Sequence, residues 1–287
     1  MAPLRHLRGY CDIPRLRHGA DVRALMKKFS SLLVGALLTM TFAVLGDPVA
    51  VRHVQGYLSG FVVLKGMDDK ILASGALTQV PAGNRITSVL TLHFSDGSLY
   101  EERAVFSQRL VYQLLSYKLT QKGTSFKAPE TLSFDTASGI VNIETTDKNG
   151  KPKSISKHLS LPPDLTNGII TMLLNDIDPP VETTLSMVVS TPEPRVVKLK
   201  ISATGQEPFL VGGSSAKATH YVMKIDIGGI TGVAAKVTGK QPPPTQFWIA
   251  AGSGPVFLKS EGPLYEDGPI WRIQMAAPTW PKAAEKK

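Results

Sequence analysis

Leu161–Pro180, LPPDLTNGIITMLLNDIDPP, is the stretch on which the reading of the whole chain turns. Leu165, Ile169, Met172, Leu173 and Ile177 recur at spacings of three and four, so they share one face of a 3.6-residue period. Pro162 and Pro163 suit a first turn, where a proline loses no intrahelical hydrogen bond. Asp164 stands where a carboxylate can cap free N–H groups and meet the positive end of a helix dipole. Pro179–Pro180 ends the pattern, because the residue before a proline is pushed out of the α region. The spacing therefore predicts a helix over Leu161–Pro180, with Gly168 as a weak point costing about 1 kcal/mol against alanine. The apolar arc reaches Ile170 and Leu174, so this helix wants cover on more than one side. Two roles fit: a core helix plugging a curved sheet, or a mobile lid over an apolar cavity.

On both sides of this stretch the hydrophobic period changes to two. Val51–Leu64, Ile71–Val80, Ile86–Phe94, Leu99–Phe106 and Arg109–Leu119 read as strands, and Glu130–Phe134, Ile140–Thr146 and Ser154–Leu159 as a meander. Ser95-Asp96-Gly97-Ser98 is a hairpin signal, since Asp-Gly suits the turns that match strand twist. Thr183–Ser190, Arg195–Ala203, Ala218–Ile227, Gln246–Ala250, Val256–Lys259 and Ile270–Met275 continue the pattern; Ile230–Lys240 is ambiguous. In Arg195–Ala203, Val197, Leu199 and Ile201 alternate with Lys198 and Lys200, a half-buried strand. Short connections imply antiparallel pairing, and a sheet of about a dozen strands must curl or close. The expected class is mainly β: a strongly curved antiparallel sheet or open half-barrel packed on one central helix and preceded by a signal-peptide helix. Residues 47–280 form its single domain; two smaller sheet domains meeting near the helix are the alternative.

Composition bounds the function. The chain has 287 residues and a formal net charge of +9. Met1–Gly46 holds seven Lys/Arg against two Asp/Glu, and removing that surplus leaves about +4, an ordinary surface rather than a nucleic-acid footprint. Cys11 is the only cysteine, which excludes a thiolate metal site or cysteine nucleophile from the rest of the chain. Met26-Lys27-Lys28 precedes the apolar run FSSLLVGALLTMTFAVLG, so residues 26–46 read as a secretory signal peptide cleaved before Asp47. The run is nearly long enough to act instead as an uncleaved membrane anchor. Residues 1–25 read as a disordered extension ahead of a true start at Met26, and 281–287 as a disordered tail.

Motifs for chemistry are weak. His53, His93, His158 and His220 fall on different predicted strands without ligand spacing, and His93 and His220 lie on polar faces. Glu101 and Glu102 are neighbours on a strand, so they point to opposite faces and cannot serve one site together. Ser154 and Lys157 have S-x-x-K spacing but on a strand, and Gly252-Ser253-Gly254 lies in a turn before a strand. No cofactor or metal site is expected. The most distinctive block is Trp248 followed by SEGPLYEDGPIWRI, Ser260–Ile273. Trp271 and Ile273 share a face, and Tyr265 and Trp271 flank a turn. These aromatics either finish the core or rim an apolar pocket.

In layout the chain resembles a family of uncharacterised exported bacterial β-proteins, domain-of-unknown-function proteins related in shape to LolA/LolB-like lipoprotein carriers. The resemblance rests on PPDLTNGIITMLLNDI, on ATHYVMKIDI within Ala218–Ile227, and on Phe257-Leu258-Lys259-Ser260-Glu261-Gly262-Pro263-Leu264-Tyr265. Such carriers hold acyl chains in an apolar half-barrel, so the resemblance implies an apolar cavity and lends no functional residue. The expected function is a non-catalytic, periplasmic or secreted protein binding a lipid or other apolar ligand between helix and sheet. Its candidate ligand contacts are Ile169, Met172, Leu173, Trp248, Tyr265 and Trp271. The alternatives are an envelope structural or assembly protein that contacts a protein partner through an exposed edge strand, and a hydrolase whose site is assembled from distant strands.

Overall fold

In the computed structural model the period-two segments form fourteen strands. They are β1 (Leu58–Lys65), β2 (Ile71–Ala82), β3 (Arg85–Phe94), β4 (Leu99–Gln108), β5 (Tyr112–Lys122), β6 (Glu130–Asp135), β7 (Ile140–Thr146) and β8 (Pro152–His158), then β9 (Thr183–Val189), β10 (Arg195–Val211), β11 (Ser214–Asp226), β12 (Thr245–Ala250), β13 (Phe257–Gly262) and β14 (Trp271–Met275). The structure describes residues 46, 48–147, 149–191, 193–211, 213–226, 242–252 and 254–276, all within the second of the chain's two units, Leu45–Lys287. The expected signal segment apart from Gly46, the extension ahead of it, Cys11, the ambiguous stretch Ile230–Lys240 and the tail lie outside those residues.

All fourteen strands join one antiparallel sheet, in the order β8-β7-β6-β5-β4-β3-β2-β1-β14-β13-β12-β11-β10-β9. Neighbouring strands are consecutive in sequence except at one seam, where β1 pairs with β14 through Val62↔Met275 and Leu64↔Ile273. The two described ends of the chain thus meet mid-sheet, and the two edges, β8 and β9, are consecutive in sequence. Alternation settles the inner face. On β4, Tyr100, Ala104 and Phe106 are buried, as are Ile86, Leu92 and Phe94 on β3 and Val197, Leu199 and Ile201 on β10. A sheet of this size must curl, and it curls until its edges are bridged by side chains. Lys157 Nζ on β8 donates to Glu193 Oε2 just past β9 at 2.8 Å. No β8–β9 ladder forms among the described residues, so the barrel stays open.

The expected turns are present. Phe94 N donates to Ser98 O around Gly97 at φ 83°, and Gly139 N and Gly150 N close turns on Asp135 O and Asp147 O.

The central helix is corrected. Only Ile170–Leu173, α1, is helical. Ahead of it the backbone pairs with β9 instead: Ser186 N donates to Asp164 O and Thr166 N to Ser186 O, a parallel bridge at Leu165–Ser186. The Asn167 side chain extends this ladder, accepting from Val188 N and donating to Val188 O, both at 2.9 Å. Gly168 then turns at φ +69°, a left-handed conformation that breaks any continuous helix. From Ile169 onward, three- and four-residue backbone bonds alternate up to Ile177. Asp164 does not cap: its carboxylate accepts from Ser186 Oγ at 2.9 Å and Lys198 Nζ at 3.3 Å. The amphipathic reading of burial survives the loss of the helix. Leu165, Ile169, Met172, Leu173 and Ile177 are all buried, together with Leu174. Hydrophobic burial does not require the helix that suggested it, and the segment plugs the curl as a compact series of turns.

Candidate functional site

The plug fills one end of the curl and leaves the rest hollow. Gly168 meets the wall at β4 and β5, where a Cβ on it would sit 2.9 Å from Ala104 Cβ and 3.1 Å from the Tyr117 ring. At the same end Asp176, fully buried in its side chain, ties the plug to the chain entering β1. It accepts from Arg52 N at 3.1 Å, His53 N at 3.0 Å and His53 Nδ1 at 2.6 Å. Tyr221 Oη donates to Ile177 O at 3.2 Å, and burial pushes its hydroxyl pKa up to about 12.

Beyond the plug lies a cavity of about 1970 Å³, lined from both halves of the sheet by Leu90, Leu119, Leu132, Ile143, Val197 and Leu199, among others. Lys127, Asp147, Lys153, Glu266 and Asp267 also border it. Alternation along β4 places one carboxyl in this apolar wall. Glu102 shares the inward face with Tyr100, Ala104 and Phe106, between Leu90 of β3 and Leu119 of β5. It lies two residues, one inward position, from the Ala104 that Gly168 abuts, so it marks the cavity floor. Tyr117 Oη donates to Glu102 Oε1 at 2.8 Å, and Tyr100 supplies a second side-chain hydrogen bond. Burial pushes the Glu102 carboxyl above its ordinary range, against the pull of the two hydroxyls; both phenols are raised by burial and by Glu102 beside them. A second inward carboxyl, Glu130 on β6, is hydrogen-bonded to Ser190 and is likewise raised by burial. One strand, β5, separates the two carboxyls, and their pairings with Leu119 and Gln121 are offset by two residues, so their backbones stand ~12 Å apart.

No family model and no curated protein matches this chain. Among solved structures it is similar to a β-barrel-like protein of Domain of Unknown Function DUF1849 from Brucella abortus. That similarity has a TM-score of 0.43 and 7% sequence identity over 81% of this chain and 100% of the other.

The six residues singled out from sequence do not gather at one place. Ile169, Met172 and Leu173 sit inside the plug and belong to the main core. Tyr265 lines the cavity. Trp271 is buried beside it in an aromatic cluster with Phe94 and Phe126, its ring centroid 5.9 Å from that of Tyr265 and 5.6 Å from that of Phe94. Trp248 lies on the opposite face of the sheet, in a separate small cluster with Phe209, Ala218 and Leu258. There its ring stacks on His220 at 4.3 Å, Lys259 Nζ stands 3.8 Å from its centroid, and its indole N–H donates to Glu207 Oε2. His220 therefore lies against an indole rather than on a bare polar face. The turn between Tyr265 and Trp271 is as expected, with Gly268 N donating to Tyr265 O.

Sequence reasoning missed Glu102 and Glu130 as inward groups. A signal for Glu102 existed. Extending the β4 alternation through Tyr100, Ala104 and Phe106 puts Glu102 on the apolar face and Glu101 on the other. The opposite-face reading of the Glu101–Glu102 pair holds, and the signal lies in one carboxylate among apolar neighbours rather than in a carboxylate pair. Nothing local announced Glu130, whose inward position depends on strand pairing. Among the described residues, no group of three or more His, Cys, Asp or Glu could hold a metal ion, and no helix is long and apolar enough to cross a membrane.

Proposed function

We propose that this chain is a non-catalytic binding protein that encloses a lipid or another elongated apolar ligand in the hollow between plug and sheet. The observation that carries the reading is the cavity itself. At about 1970 Å³ it exceeds the ~300–1,000 Å³ of ordinary small-molecule pockets, and its wall exposes more apolar than polar surface. An apolar occupant displaces water from that wall, a gain roughly proportional to the apolar area removed from water. The basic start and apolar run of residues 26–46 support export to a periplasmic or extracellular space as the place where it acts. Native mass spectrometry of protein purified from its host tests the reading. A co-purifying lipid, or saturable binding of an acyl probe, is expected; the absence of both counts against it.

An envelope assembly role is favoured by one observation, the β8 edge. β8 presents an unpaired side among the described residues, whereas the outer side of β9 is taken by Asp164, Thr166 and Asn167 of the plug, and an exposed edge can accept a strand from a partner. A stoichiometric protein partner in pull-downs from envelope extract, with no lipid bound, selects that role instead.

A further inference from the structure

We infer that the cavity selects an amphiphile bearing a primary ammonium head, bound head-inward on Glu102. This rests on the binding reading above and specifies the ligand within it.

A carboxylate set in an apolar wall is costly. A buried carboxylate is tolerated when it is paired or hydrogen-bonded. Glu102 receives hydrogen bonds from Tyr117 and Tyr100, yet among the described residues no Lys, Arg or His forms an ion pair with it. Its immediate inward neighbours across the ladders, Leu90 and Leu119, are apolar. A carboxylate offers about four acceptor sites; two tyrosine donors leave capacity for a ligand N–H. Among the described residues the cations that line the cavity, Lys127, Lys153 and Arg195, form no ion pair with Glu102, and Leu90 and Leu119 beside it offer apolar contact to an alkyl chain.

Position adds direction. Glu102 is next to the level at which Gly168 of the plug meets Ala104 and Tyr117, so a head group reaching it has travelled the depth of the hollow. The charged residues that border the cavity, including Lys127 and Lys153, then lie nearer the tail than the head. Glu130 adds a second acidic group to the same wall, so the lining disfavours a fatty acid whose carboxylate enters first. A fatty acid held head-outward by the bordering lysines is the competing arrangement.

The test compares three ligands of one chain length below their micellar concentrations: dodecylamine, 1-dodecanol and dodecanoate, titrated calorimetrically into the full chain. Dodecylamine is expected to bind about tenfold or more tighter than dodecanol, the range of a charge-assisted hydrogen bond, and dodecanoate more weakly than either. Glu102→Gln, which keeps the shape and an acceptor for the tyrosines, is expected to bring the amine to within about threefold of the alcohol. Far-UV circular dichroism matching that of the wild type reports that the variant is folded. Glu130→Gln is expected to retain the amine preference. The inference is overturned if wild-type protein prefers dodecanoate or does not distinguish amine from alcohol, if the preference persists in Glu102→Gln, or if it is lost only in Glu130→Gln. Dodecanol binding in those cases leaves the apolar-cavity reading standing. If none of the three ligands binds, that reading falls and the head-group assignment falls with it.

Discussion

At the level of single residues, two positions carry measurable consequences. Gly168 combines a left-handed backbone with a tight fit against Ala104 and Tyr117. Gly83 has a similar φ of +60° but nothing within 4 Å of where a Cβ would stand. Gly83→Ala is therefore expected to cost about 1 kcal/mol from the backbone term, whereas Gly168→Ala adds a packing clash and should cost about 2–4 kcal/mol in urea unfolding. Equal losses would show that the plug does not press on the wall. Glu102 gives a pH-dependent prediction. Its carboxyl is raised by burial above the ordinary 4.5. A group raised in the folded state favours folding fully below its unfolded pKa, and that contribution is lost as pH rises through the folded value. Relative to wild type, Glu102→Gln should therefore gain thermal stability as pH is raised from about 4 towards 8. A difference in Tm that stays constant across that window would remove the buried carboxyl as its cause.

Among elements, the plug illustrates a competition for backbone groups. Residues 164–167 had the composition of a helix entry, but their amides and carbonyls are taken by β9, through Thr166, Asn167 and Ser186. The far end of the plug is anchored by Asp176, which accepts from two backbone N–H groups and the His53 ring. Asp176→Ala leaves those donors without their acceptor in a partly buried corner, and is expected to cost about 2 kcal/mol. Hydrogen exchange should then show faster opening of residues 52–53 and of the plug, with β9 and β10 less affected. Uniform loss of protection across the sheet would mean that the plug and the wall unfold together.

For the molecule as a whole, the open seam between β8 and β9 matters most. β8 is short and exposed, with Pro152, Lys153 and Lys157 on it, and Lys153 borders the cavity. Lysine, proline and inward charge are devices that keep an edge from pairing with another molecule. Replacing both lysines by valine is expected to produce concentration-dependent self-association in analytical ultracentrifugation. A monomer at all concentrations would indicate that the edge is protected by other means.

Much of this architecture could be read before folding. Period-two alternation located all fourteen strands, Ile140–Thr146 to the residue, and the turn residues placed the hairpins, because both depend on neighbours a few positions away. The curl followed from strand number. The apolar face of Leu165–Ile177 was likewise legible as something to be buried. What the one-dimensional pattern could not contain were outcomes that depend on partners far away in the chain. β9 lies beyond the plug in sequence yet outcompetes its helix for hydrogen bonds. β1 finds β14 across more than two hundred residues, as Val62↔Met275 shows. Trp248 faces outward although its neighbour Phe247 faces the main core. Whether the space over the plug is filled or hollow is a matter of how side chains from a dozen strands sum in volume. The position of Glu102 at the floor of that hollow emerges only when the plug is seated against Ala104 and Tyr117, since a residue's periodicity states which face it occupies and not what stands opposite.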